Sequence, residues 1–230
     1  MVDLRKNRHL DEELAILRRL LVEMSELVDE QVAGAIDAVS NCDLDLARRV
    51  RERDDEVDAL EIKVDRQCER ILALFTPVAV DLRLIIAAVK VNTDLERIGD
   101  HAKNLAKKTQ HLERCTDLIG RTKIREAADE ARKVLLEAQD AFLKQDKIRA
   151  REVLVHDERV DRLHDESLES IANLFSEFPD RTKELVHLVN MSKSVERIAD
   201  HATNIAELVI FLVEGIDIRH GNVPRPAEAE

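Results

Sequence analysis

Glu96-Arg97-Ile98-Gly99-Asp100-His101-Ala102-Lys103-Asn104 returns as Glu196-Arg197-Ile198-Ala199-Asp200-His201-Ala202-Thr203-Asn204, at an offset of 100 residues. A second echo stands upstream of each copy. Asp54-Asp55-Glu56-Val57-Asp58-Ala59-Leu60 is matched by Asp157-Glu158-Arg159-Val160-Asp161-Arg162-Leu163, at an offset of about 103. Self-similarity at such a period marks tandem structural units. The apolar positions around the nonapeptide decide what kind of unit. Leu84, Ala88, Val91, Leu95, Ile98, Ala102 and Leu105 step by three and four, and Leu188, Met191, Val195, Ile198, Ala202 and Ile205 repeat the seam. That spacing predicts long helices packed as a left-handed bundle at about 20°.

Outward from these seams, the breaks divide each half into three helices. The first helix is expected over about Leu10 to Val39, broken by Ser40, Asn41, Cys42 and Asp43, with Asp43 placed to cap the next. A second runs to about Phe75, where Thr76 and Pro77 reverse the chain, and a third continues to about Glu113. The order then returns. A fourth helix spans about Asp117 to Leu143, a break falls at Gln145 and Asp146, and a fifth runs to about Phe175. Phe178, Pro179 and Asp180 make the second reversal, and a sixth ends near Glu214 with Gly215 as its stop. The fold class is therefore all-α: two tandem three-helix bundles, over 8–115 and 116–218, built from six long antiparallel helices. The Pro- and Ala-rich stretch 221–230 reads as a disordered tail.

Composition agrees. Charged residues make up 37% and aromatics 2% of the 230 residues, with only 5 Gly and 4 Pro, which suits helices and not sheets. The formal net charge of −12 argues against a general nucleic-acid binder, whose footprint is basic. Cys42, Cys68 and Cys115 are scattered, without C-x-x-C spacing or a disulfide framework. No apolar run is long enough for a signal peptide or a membrane span, so a cytoplasmic protein is expected.

The acids carry the chemistry. Glu96 and Asp100 are one helical turn apart and share a face, as do Glu196 and Asp200, Asp54 and Asp58, and Asp157 and Asp161. Against the heptad seam, Glu96, Asp100, Glu196 and Asp200 fall at positions b and f, on outer faces. If the first reversal centres on Pro77, Asp58 stands level with Glu96 and Asp54 with Asp100. A turn near Pro179 likewise levels Asp161 with Glu196 and Asp157 with Asp200. Isolated acid pairs of this kind are ordinarily solvated faces, and like charges one turn apart cost about 0.2–0.5 kcal/mol. Two level pairs, present in both units, call for positive partners. Arg97 and Arg197 could supply them as salt bridges, and hard metal ions could supply them more strongly.

His101 and His201 are rotated off the acid stripe, toward a surface or packing role. Asn104 and Asn204 lie one turn beyond the Asp and could orient or cap the site. A di-iron oxidase of ferritin type needs Glu-x-x-His on its metal helices, and neither Glu96 nor Glu196 has it; Asp161-x-x-His164 comes nearest. No P-loop, nucleophile elbow or Cys/His arrangement stands out. Three readings follow: a metal-binding regulatory adaptor, which the acids favour and which is not an enzyme; a two-metal phosphohydrolase or oxidase; and a metal-free helical scaffold.

The chain resembles the PhoU family. The resemblance covers roughly residues 8–220 and is carried by Asp81-Leu82-Arg83-Leu84, Leu95 to His101, Val195 to Asn204, and Gly215-Ile216-Asp217-Ile218-Arg219-His220. It implies two tandem three-helix bundles, usually dimeric, acting in the cytoplasm as a negative regulator of phosphate uptake and phosphate-starvation signalling. The partners it implies are the Pst phosphate transporter, through its PstB-like ATPase, and the PhoR–PhoB two-component system, through a PhoR-like sensor kinase. It also implies multinuclear clusters of iron, manganese, magnesium or zinc on the E/D-x-x-x-D motifs. Carried over, the ligands are Asp54, Asp58, Glu96 and Asp100 in one unit, and Asp157, Asp161, Glu196 and Asp200 in the other. Ala199 stands opposite Gly99 and Ser194 opposite Asp94, so a further ligand at Asp94 would be asymmetric.

Overall fold

The computed structural model describes residues 4–114 and 116–218. The expected tail over 221–230, and with it Cys115, Arg219 and His220, lies outside them. Six long helices carry the chain: α1 (Leu4–Asn41), α3 (Asp54–Leu74), α4 (Ala79–Lys108), α6 (Ile124–Lys144), α7 (Lys147–Glu177) and α8 (Thr182–Glu214). Two short ones, α2 (Leu44–Glu52) and α5 (Thr116–Ile119), stand between them. The described residues contain no strand. None of these helices is long and apolar enough to cross a membrane.

The breaks at Asp43, Asp146 and Gly215 fall where the sequence places them, for local reasons. Asp43 caps α2, its carboxylate accepting from Leu46 N at 2.9 Å. Asp146 does the same for α7, accepting from Ile148 N and Arg149 N. The residue before each cap, Cys42 and Gln145, is left-handed with φ of 54°. Asp43 N and Asp146 N then reach back to Ala38 O and Ala141 O, which satisfies the last carbonyls of α1 and α6. Gly215 stops α8 at φ 74°.

Three expectations need correction. The helix expected over about Asp117 to Leu143 is broken over 120–123, between α5 and α6. The helix expected over Asp43 to Phe75 is interrupted at Arg53 (φ −72°, ψ −12°), so Asp54 opens α3 instead of lying inside a longer helix. The equivalent Asp157 lies inside the unbroken α7. The third helix ends at Lys108, and a 3₁₀ segment continues over Thr109–Arg114.

Every residue of the two seams is buried, as burial of a heptad stripe requires. In the first unit α1 packs on α3 and α4; in the second α6 packs on α7 and α8. The units do not stop there. α4 lies against α8 in the most extensive helix pair of the molecule, and α1 touches α6. Arg132 reaches Asp29 through two hydrogen bonds of 2.9 and 3.1 Å, and the buried Gln139 donates to Ser25 O at 3.1 Å. One apolar core therefore runs through both repeats. At the α4–α8 contact the equivalent rings of His101 and His201 stack, 5.7 Å between centroids.

Candidate metal centre

Asp157 and Asp161 stand one turn apart on α7 and face Asp200 on α8. Each offers a carboxylate oxygen, and the three oxygens lie within 4.8 Å of one another. The seam residues Ile198 and Ala202 are buried, and Asp200, two positions from each, stands off the seam, where it meets Asp157 and Asp161 of α7. One oxygen of Asp157, Oδ1, is buried and has no hydrogen-bond partner. Burial, and then the charges of Asp161 and Asp200, push the Asp157 carboxyl up to about 6. Burial and Asp200 raise Asp161 in the same direction. An orphaned acid oxygen beside two further carboxylates is a group short of positive charge. Glu196, one turn before Asp200, is half-buried beside them but lies outside the group of three.

The first unit arranges the same residue types differently. Asp54 is buried, at 2% exposure, and already has its cation. It accepts from Gln31 Nε2 at 2.9 Å and forms an ion pair with Lys103 Nζ. Asp58 is exposed, while Glu96 and Asp100 are half-buried. Among the described residues these four do not gather as the second set does. Burial, then Asp54, raises the Asp58 carboxyl, and burial, then Asp100, raises that of Glu96. So the expectation of two equivalent outer-face sites needs revision at Asp54, which points inward onto Gln31 and Lys103. Where the first unit has Lys103 the second has Thr203, whose hydroxyl donates to Ala199 O at 3.0 Å.

The structure also adds residues the motif reading passed over. Glu61 joins the first patch: burial and then Asp65 and Asp58 raise its carboxyl, and its charge acts on Glu96. Its signal in the sequence is its place one turn after Asp58. Lys103 carries no signal until a buried Asp54 is seen beside it. The arginines take the expected side role. Arg197 pairs with Asp200 at 3.0 Å, and Arg97 approaches Glu96 at 3.5 Å and Asp100 at 4.0 Å. Exposed pairs of this kind contribute about 0–1 kcal/mol, too little to neutralise three gathered carboxylates.

The histidines and asparagines do not join the acids. His164 shares a hydrogen bond with Ser192 Oγ at 2.9 Å. His201 and Asn204 both turn to Asp94 across the α4–α8 contact, at 2.8 and 3.2 Å. Asp94 is thereby an inter-repeat acceptor, and Asn204 holds it instead of capping the acid site.

The comparisons with known proteins agree with this architecture. The PhoU domain model matches residues 21–109 and again 124–209. A phosphate-specific transport system accessory protein PhoU homolog of Pseudomonas aeruginosa is 40% identical over 217 residues, 94% of this chain and 90% of that protein. A homolog of the same name from Aquifex aeolicus is 32% identical over 216 residues, covering 94% and 98%. The relatives are named as accessory proteins of transport, not as enzymes. A crystal structure of PhoU from Pseudomonas aeruginosa superposes with a TM-score of 0.84 at 38% identity, covering 90% of this chain and 99% of that one. The phosphate transport system regulatory protein PhoU from Streptococcus pneumoniae shares the fold, with a TM-score of 0.82 at 24% identity, covering 90% and 98%. With both halves of the chain matched and its length nearly spanned, the chain belongs to the PhoU family.

Proposed function

We propose that this chain is an accessory protein of phosphate-specific transport that acts as a negative regulator of uptake and of phosphate-starvation signalling. In this reading it works in the cytoplasm, as a homodimer, on a PstB-like transporter ATPase and a PhoR-like kinase of a PhoR–PhoB pair. The observation that carries it is membership of the family, with a relative matched over 94% of the chain and named for the phosphate-specific transport system. The test is a deletion strain assayed for phosphate uptake and for a phosphate-starvation reporter. Loss of the protein should raise reporter expression in high phosphate, and an unchanged reporter would sink the reading.

The proposal includes a metal, and the donor set supports it in one unit. Asp157, Asp161 and Asp200 offer only oxygens, which suit hard cations such as magnesium, manganese or iron. Glu196, one turn before Asp200, adds a further negative charge that acts on Asp157. Bound there, a cation supplies the positive charge that the orphaned Asp157 oxygen lacks. In the first unit Lys103 already supplies it to Asp54, so the residues present there fit a metal poorly. Elemental analysis of protein purified without chelator should find metal that Asp161→Asn and Asp200→Asn remove. The variants in which the first-unit acids Glu96 and Asp100 become amides should retain it. Metal-free wild type would end this part of the proposal.

A further inference from the structure

The His101–His201 stack joins equivalent positions of the two repeats, and their environments are not alike. On one side Asp94 Oδ1 accepts from His201 Nδ1 at 2.8 Å and from Asn204 Nδ2 at 3.2 Å. On the other, His101 and Asn104 stand where His201 and Asn204 do, but the carboxylate is missing because residue 194 is Ser. Ser194 Oγ donates to its own helix at Asn190 O, 3.0 Å, and does not fill the place. A cleft of about 250 Å³ opens there. His101, Asn104, Lys108, Lys193, Ser194 and Arg197 line it.

The charges have changed along with the acid. Lys193 stands opposite Thr93 of the mate, and Lys108 opposite Leu208. Neither lysine has an ion-pair partner among the described residues, and Arg197 adds a third cation while also pairing with Asp200. No acid lines the cleft. Where one copy seats an internal carboxylate on an imidazole and an amide, the other offers the same two donors to solvent with three cations around them. This concentration of positive charge lies in a chain of net charge −12.

We propose that this cleft binds a small, doubly charged oxyanion of the phosphate type, seated where the Asp94 carboxylate sits in the mate. His101 and Asn104 would donate to it, and Lys108, Lys193 and Arg197 balance its charge. Three cations around one anion favour a dianion over a monocarboxylate. The site lies on the contact between the repeats, so occupancy would tie α4 to α8 as Asp94 does on the other side.

Ser194→Asp is the decisive variant, because it returns the mate's own carboxylate to the cleft. Inorganic phosphate is titrated calorimetrically into the full chain held in chelator, so that no metal contributes and the outcome is independent of the carboxylate cluster. Ionic strength is held constant with chloride. Wild type should show one saturable site that binds phosphate more tightly than acetate. Ser194→Asp should weaken phosphate at least about tenfold, equivalent to about 1.4 kcal/mol. It should also raise the Tm in phosphate-free buffer, which shows that the variant is folded. Lys193→Thr should weaken phosphate without that rise. Absence of saturable binding, acetate binding as tightly as phosphate, or unchanged binding in folded Ser194→Asp would overturn the proposal.

Discussion

Lys103 and Thr203 occupy the same place in the two repeats, and they separate the two acid sets. Lys103 neutralises the buried Asp54, whereas Thr203 leaves Asp157 without a cation. Lys103→Thr should therefore destabilise the metal-free protein by about 1–3 kcal/mol, because Asp54 would be left buried with only the neutral Gln31 as partner. The same variant should take up additional metal in the first unit. Urea denaturation in chelator, with metal content measured after dialysis, checks both. Gly99 is held by the same network. A Cβ there would lie 2.9 Å from Gln31 Oε1 and 3.3 Å from Val57 Cγ1, so Gly99→Ala should push Gln31 off Asp54 and cost about 1–3 kcal/mol. Ala199 fills the equivalent place in the second unit, where the residue matching Gln31 is Val134. Asp157 predicts a pH dependence. Its carboxyl titrates near 6 in the folded chain and near 3.8 as an ordinary Asp. Below both values the two states hold the proton equally. Between them the folded state holds a proton that the unfolded state has lost, so metal-free stability should fall as pH rises through that window and then level off. Urea midpoints in chelator at about pH 4 and about pH 7 should show the fall in wild type and a smaller one in Asp157→Asn. Metal uptake should weaken as pH drops through the same window, because the cation competes with the proton.

Among the elements, the joints repeat as faithfully as the seams. Cys42–Asp43 and Gln145–Asp146 each pair a left-handed residue with a capping Asp, although their sequences share only that Asp. Asp146 serves two backbone N–H groups and Asp43 one. Asp146→Ala should cost about 1 kcal/mol or more, and Asp43→Ala no more than that, both read from thermal unfolding. The middle helices of the two units differ at one point. α7 runs straight through Asp157, while the chain bends at Arg53 and starts α3 with Asp54. Asp54 and Asp157 keep the same place in the two copies, and it is the residues facing them that differ: Gln31 and Lys103 in one, Thr203 in the other.

At the scale of the whole molecule, two repeats make one body. The core passes from α1 through α4 and α8 to α6, and Gln139, Arg132 and Asp94 cross between units with satisfied partners. The two units should accordingly melt together. Calorimetry of the metal-free chain should give one transition whose calorimetric and van't Hoff enthalpies agree. Two separated transitions would show that each repeat folds by itself and that the shared core contributes little. Asp94→Ala should lower that single transition, since it leaves His201 and Asn204 without their acceptor.

The sequence by itself determined the six long helices, the capped and Pro-marked breaks between them, the tandem repeat and the grouping of acids by turn. All of these rest on interactions within a few residues: heptad spacing, capping Asp, Pro reversals and one-turn neighbours. It also brought the right pairs of helices together, so the convergence of Asp157 and Asp161 on Asp200 was within reach of the level argument. What it could not distinguish was the fate of two nearly identical motifs. Asp54 is neutralised by Lys103, 49 residues away, and oriented by Gln31, 23 residues away. Whether they meet depends on the rotation of three helices about their own axes. The same holds for Asp94 and Ser194, whose difference is one letter in a repeat until α4 is laid against α8. Helix periodicity fixes which residues share a face; only tertiary packing decides what charge that face meets.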